Sequence, residues 1–200
     1  CTSLESIVVA DGNPVYDSRE GCNAIVETKT NALVCGCKSS IIPESVTEIK
    51  SEAFFHCTTL KSFTIPDSVT EIGDGAFSAC TSLESITIPE SVIYVGNFIG
   101  CTSLESIAIP KSATSIGSFS KCTSLKSIKI PEGVTHIGHF DDCTSLESVT
   151  IPEGVTKLYH WTFSCCTSLK SITIPKGVKE IGWNAFNGCK ALNTITLPIG

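Results

Sequence analysis

Positive charge is in short supply. The chain has 14 lysines and arginines against 20 aspartates and glutamates, a formal net charge of −6. A nucleic-acid surface needs a basic stripe to match the phosphates, so no nucleic-acid partner is expected. Long apolar runs are missing too. None approaches the roughly 18 residues that cross a bilayer as a helix, so no membrane insertion is expected of this stretch. Histidine is limited to 4 residues, and no paired carboxylates, nucleophile beside a base, or glycine-rich phosphate loop stands out. The expectation is a protein that is not an enzyme and that needs no cofactor. Methionine is absent, and no secretory leader is recognisable.

What is abundant is repetition. Prolines stand at 43, 66, 89, 110, 131, 152, 175 and 198, separated by 23, 23, 21, 21, 21, 23 and 23 residues. A fixed period in this range marks a solenoid, in which each coil contacts only its neighbours. The unit reads Leu-x-Ser-Ile-x-Ile-Pro-x-x-Val-x-x-Ile-Gly, a short spacer, then Phe-x-x-Cys. Alternation in Ser85-Ile86-Thr87-Ile88 predicts a half-buried strand, which Pro89 ends because it has no donor. Val69-Thr70-Glu71-Ile72 alternates again and predicts a second short strand on the opposite wall. Ser and Gly exchange freely in the turn after the proline, so no left-handed residue is expected there. Phe54, Phe77, Phe98, Phe119, Phe140, Phe163 and Phe186 are placed to fill the coil interior. The two repeat lengths differ between Gly and Phe: four residues from Gly73 to Phe77, two from Gly96 to Phe98. The change therefore falls on the outer turn and leaves strand register intact.

One solenoid over residues 1–200, mostly β with short turns or 3-10 segments outside, is the expected domain. Residues 1–10 are expected to form a strand with Leu4, Ile7 and Val9 facing the core. Residues 11–38 break the pattern. Asp11-Gly12-Asn13-Pro14 signals a turn. Short runs at 15–16, 24–27 and 32–35 predict strands about a polar turn at 28–31, an elaborated coil or hairpin that keeps the solenoid continuous. Cys1 opens a repeat in mid-motif, Gly200 stops just after Leu197-Pro198, and no polar cap is evident, so a fragment of a longer protein is expected.

Cys57, Cys80, Cys101, Cys122, Cys143, Cys166 and Cys189 hold one repeat position. Equivalent residues on stacked parallel coils lie about 4.8 Å apart with parallel side chains, whereas a disulfide needs converging Cβ atoms about 3.8 Å apart. A ladder of buried free thiols is expected. Cys22, Cys35, Cys37 and Cys165 lie off it, and whether any of them is bridged stays open. His136, His139 and His160 fall on neighbouring coils near Asp141 and Asp142, a candidate metal site weighed against solvated turn residues. The outward positions of the main sheet, taken as the concave side, form a hydroxyl-lined strip. Its candidate partner-binding residues are Ser85, Thr87, Ser106, Ser127, Lys129, Ser148, Thr150, Ser171 and Thr173, since solenoids bind partners on such faces. Beside it, Lys61, Glu84, Glu105, Lys126, Glu147 and Lys170 alternate in sign from Glu105 on, which supports strand register. Trp161 and Trp183 fall near one another on the outer turns, as anchors or as packing.

The run Glu71-Ile72-Gly73-Asp74-Gly75-Ala76-Phe77-Ser78-Ala79-Cys80-Thr81-Ser82-Leu83 resembles a leucine-rich repeat of the BspA-like family of bacterial surface proteins. The irregular segment from Gly12 to Lys38 resembles an insertion seen in that family. The shortened repeats, and Lys50 and Tyr159 in place of Gly, depart from its pattern. The resemblance implies a right-handed leucine-rich-repeat solenoid with a parallel sheet on its concave face, and a cell-surface or secreted setting. It also implies adhesin-like binding of host or microbial extracellular proteins. Spacer repeats of a larger surface protein, with no ligand of their own, are the alternative.

Overall fold

A computed structural model describes residues 4–198. The repeat winds into coils with two β walls and an outer turn. Strands Ser62–Thr64, Ser85–Thr87, Ser127–Lys129, Ser148–Thr150 and Ser171–Thr173 each run exposed, buried, exposed. That is the period-two pattern with the central Phe, Ile or Val turned inward. Equivalent residues pair in parallel, Ile128 with Val149 and Ile172 with Ile195. After each strand the proline carbonyl accepts the N–H three residues on, as in Val92 N–H to Pro89 O at 3.2 Å. None of Gly133, Gly154 or Gly177 in this turn has positive φ, so Ser and Gly exchange there as the sequence implied. The second wall is built from two-residue strands such as Glu71–Ile72, Tyr94–Val95, Ser115–Ile116 and His136–Ile137.

Between the walls the phenylalanines form one stack from Phe54 to Phe186. Successive centroids are 5.1–5.9 Å apart and the planes lie within 14° of parallel. Behind them runs the thiol ladder, and all eleven described cysteines are free. From Cys80 to Cys189 each ladder Sγ donates to the carbonyl of the phenylalanine one coil back, at 3.0–3.2 Å. These thiols are hydrogen-bonded staples between coils as well as buried groups. Burial pushes Cys101 and Cys143 up to about 12 and Cys122 well above the ordinary range.

The outer turn is a third hydrogen-bonded side. Cys122 N–H bonds Phe119 O at 3.0 Å, closing a turn whose third residue has positive φ, as in a type II turn. His56, Ala79, Gly100, Lys121, Asp142, Cys165 and Gly188 fill that slot, with φ of 58–75°. The longer coils add a second left-handed residue, two before the phenylalanine: Glu52, Gly75, Trp161 or Asn184. The two extra residues of a 23-residue coil thus supply one more turn. A side chain in this conformation costs about 1–2 kcal/mol, and glycine's extra chain entropy about 0.5–1 kcal/mol. Lys121→Gly is therefore expected to stabilise by about 0.5–1 kcal/mol, and Gly100→Val to destabilise by more than that, both read from urea melts.

The insertion is a hairpin. Ile25–Glu27 pairs antiparallel with Tyr16–Asp17 and with Ala32–Cys35, and Ala32–Cys35 pairs parallel with Glu48–Ile49. It thereby extends the second wall. Arg19 clamps it, donating to Asp17 at 2.7 and 2.8 Å and to Asn31 Oδ1 at 2.7 Å. The Arg19 hydrogen bonds outweigh partial burial and hold the Asp17 carboxyl down at about 2. Two expected strands are absent. Residues 4–10 form none; of the three residues expected to face the core, Leu4 is exposed and Ile7 and Val9 are half-buried. Their backbone bonds side chains of the insertion, Ile7 N–H to Asn23 Oδ1 and Val9 N–H to Ser18 Oγ, which takes up the donors a sheet would use. Ser106 also lies outside any strand, because its segment keeps a single bridge, Ala108 to Lys129.

Candidate binding surface

Ser85, Thr87, Ser106, Ser127, Lys129, Ser148, Thr150, Ser171 and Thr173 all lie exposed on one wall. The strand alternation puts them there. Among the described residues none of these side chains has a hydrogen-bond or ion-pair partner. The contrast with threonines elsewhere is instructive. The threonines after Cys101, Cys122, Cys143 and Cys166 donate to their counterparts' carbonyls one coil back, as in Thr102 to Thr81 and Thr144 to Thr123, at 3.1–3.4 Å. Those hydroxyls are committed to stacking the coils, and the wall hydroxyls are not.

A hollow of about 530 Å³ interrupts the wall, lined by Ile107, Ala108, Ile109, Lys111, Lys129, Pro131, Glu132 and Gly133. Its origin is local. Ala108 stands where Thr64, Thr87, Thr150 and Thr173 stand on other coils, and the ladder narrows to one bridge beside it. Shallower hollows of about 290 and 360 Å³ continue between Ser127–Lys129 and Ser148–Thr150, and on to Ser171–Thr173. At the rim, Lys111 and Lys129 form no ion pair among the described residues. The flanking charges do pair: Lys126 with Glu105 at 2.8 Å and Lys170 with Glu147 at 2.9 Å. The Lys170 hydrogen bond holds the Glu147 carboxyl below its ordinary range. Both pairs are solvent-screened, so they steady register and add little stability.

The histidines are not brought together. His136 Nδ1 meets Thr135 Oγ1 at 2.9 Å, His139 lies 6.3 Å from the Tyr159 ring, and His160 Nδ1 accepts the Trp183 N–H at 2.7 Å. Among the described residues no group of three His, Cys, Asp or Glu could hold a metal ion. The off-ladder thiols are free as well. Burial raises the Cys37 thiol, but hydrogen bonds from Ser39 and Ser40 outweigh it and bring it below the ordinary range. Cys165 sits off the ladder because it fills the left-handed slot before Cys166. Two features of the surface escaped the sequence reading: the hollow at Ala108 and the free state of the wall hydroxyls. The signal for the hollow was present, since Ala108 and Lys129 both break the run of threonines.

The walls, the stack and the repeat length define a leucine-rich-repeat solenoid. A family model, the BspA type leucine rich repeat region, matches in 6 copies over residues 31–139 and 96–200. The chain belongs to that family. Among solved structures it is similar to the leucine rich repeat protein TpLRR of T. pallidum, with 31% identity and a TM-score of 0.71 over 84% of this chain and 86% of that one. It is also similar to a leucine-rich repeat protein from Bacteroides ovatus, with 32% identity, a TM-score of 0.75 and coverage of 97% and 54%. A leucine rich cell surface protein from Faecalibacterium prausnitzii matches at 33% identity and a TM-score of 0.75, with coverage of 98% and 55%. The chain thus spans about half the length of the latter two. A search of curated proteins finds no match. Among the described residues no helix is long and apolar enough to cross a membrane.

Proposed function

We propose that the chain is a protein-binding module of a bacterial cell-surface or secreted protein, engaging an extracellular protein through its Ser/Thr wall. The observation that carries this reading is the wall's row of exposed hydroxyls without internal partners, interrupted by an apolar hollow with two unpaired ammonium groups at its rim. Hydroxyls free on a rigid surface offer donors and acceptors at a fixed spacing, and unpaired lysines steer an acidic partner. The cell-surface description of the F. prausnitzii relative supports the setting. The reading involves no catalytic step and no cofactor.

The test is binding of the purified chain to immobilised fibronectin and fibrinogen across a salt series. Saturable binding is expected. Ser148→Arg and Lys129→Glu, both exposed changes, should each weaken it about tenfold or more if they fall at the contact centre. A folded chain that binds neither protein favours the spacer reading, in which the wall serves only to stack coils.

A further inference from the structure

Three departures from the repeat converge on the outer turns of two neighbouring coils, away from the Ser/Thr wall. Tyr159 stands where Gly73, Gly96, Gly117, Gly138 and Gly182 stand on other coils. Trp161 fills a left-handed slot, φ 58°, that other long coils give to Glu52, Gly75 or Asn184. Trp183 follows Gly182 and is 81% exposed. These are the chain's 2 tryptophans. Packing does not explain them, because Trp161 has a coil on either side and still stands 55% exposed. A bulky residue at positive φ is an outlier, and such strain gathers at functional sites.

His160 lies between the indoles, its ring 6.3 Å from Trp161 and 5.4 Å from Trp183. Its Nδ1 accepts the Trp183 backbone N–H at 2.7 Å, which leaves Nε2 to carry the ring proton. Neither indole N–H has an acceptor among the described residues. The neighbouring cation, Lys157, is taken up by Glu180 at 2.9 Å and lies 5.5 Å from the Tyr159 ring centroid. The patch therefore offers exposed aromatic side chains and neutral hydrogen-bond donors, and its neighbouring cation is already paired. An anionic ligand would have to displace Glu180 from Lys157. A sugar ring presents C–H faces to the indoles and oxygen acceptors to the donors. The two tryptophans stand on adjacent coils, with the Trp161 backbone N–H bonding the Trp183 carbonyl at 3.0 Å. We propose that this surface is a platform for a neutral linear glycan, with Trp161 and Trp183 stacking on successive sugar rings and His160 donating through Nε2.

Both tryptophans belong to the platform, so intrinsic fluorescence reads it without a label. The chain is titrated with cellohexaose, xylohexaose, mannohexaose and chitohexaose, and separately with a proline-rich peptide and heparin. The expected result is a saturable emission shift with at least one neutral hexasaccharide and none with the peptide or heparin. Trp183→Ala should weaken that binding about tenfold. Trp161→Asn, which suits the left-handed slot and keeps the fold, should do the same, followed through the remaining indole. No shift with any hexasaccharide overturns the proposal. So does a shift confined to the peptide, which marks a protein-docking patch, or one confined to heparin. The outcome is independent of fibronectin or fibrinogen binding at the wall.

Discussion

Phe119→Ala is expected to lower the free energy of unfolding by about 3–5 kcal/mol. Phe119 is fully buried and stacks on both Phe98 and Phe140, each at 5.4 Å. In a solenoid, stability is a sum of coil terms and nearest-neighbour interfaces, so emptying this position weakens two interfaces at once. Phe186 is half-buried and has one described stacking neighbour, Phe163 at 5.8 Å. Phe186→Ala should therefore cost markedly less. Chemical denaturation of the two variants checks the ranking, and equal losses would contradict the stack as the organising feature of the core.

Gly138→Ala should also destabilise strongly, by about 1–3 kcal/mol or more. A Cβ there would lie 2.5 Å from the backbone carbon and oxygen of Gly117, and neither atom can give way without moving a coil. The glycine column is a close approach of backbones, with Gly182 similarly placed 2.4 Å from the His160 nitrogen. Gly133→Ala is the control. Its nearest atom would be 3.4 Å away, in ordinary contact, and its φ is not positive. That change should be neutral or stabilise by up to about 1 kcal/mol. The pair of melts separates packing from glycine's effect on the unfolded chain.

Much of this architecture was legible because it is periodic. The 21- and 23-residue proline spacings already imply two walls, an inward Phe and a cysteine ladder, and each stands in the structure. What was not legible depends on backbone conformation that leaves no compositional trace. The left-handed slot before each ladder cysteine is filled by His56, Ala79, Lys121 and Asp142 as readily as by Gly100, so no residue type announces it. The thiol donors were invisible for the same reason, since their acceptors are carbonyls one coil away. Residues 4–10 read as a strand from their apolar spacing, but the insertion's Asn23 and Ser18 take their donors. The candidate wall was legible as a row of hydroxyls. Its interruption at Ala108 became a hollow only when the neighbouring coils were in place. The three histidines are close in repeat position, yet each has a different partner, which spacing alone does not reveal.

Both proposed surfaces depend on the coils stacking in this register, and the register is written most plainly in the thiols. The decisive measurement is a count of reactive sulfhydryls without reductant, first in the native chain and then in denaturant. The account predicts that the buried ladder from Cys80 to Cys166 reacts slowly while folded, because burial holds these thiols protonated. In denaturant all 12 cysteines of the chain should react. A denatured chain with most of its cysteines blocked would mean disulfide bridges, which parallel ladder positions cannot form, and would contradict the stacked-coil account.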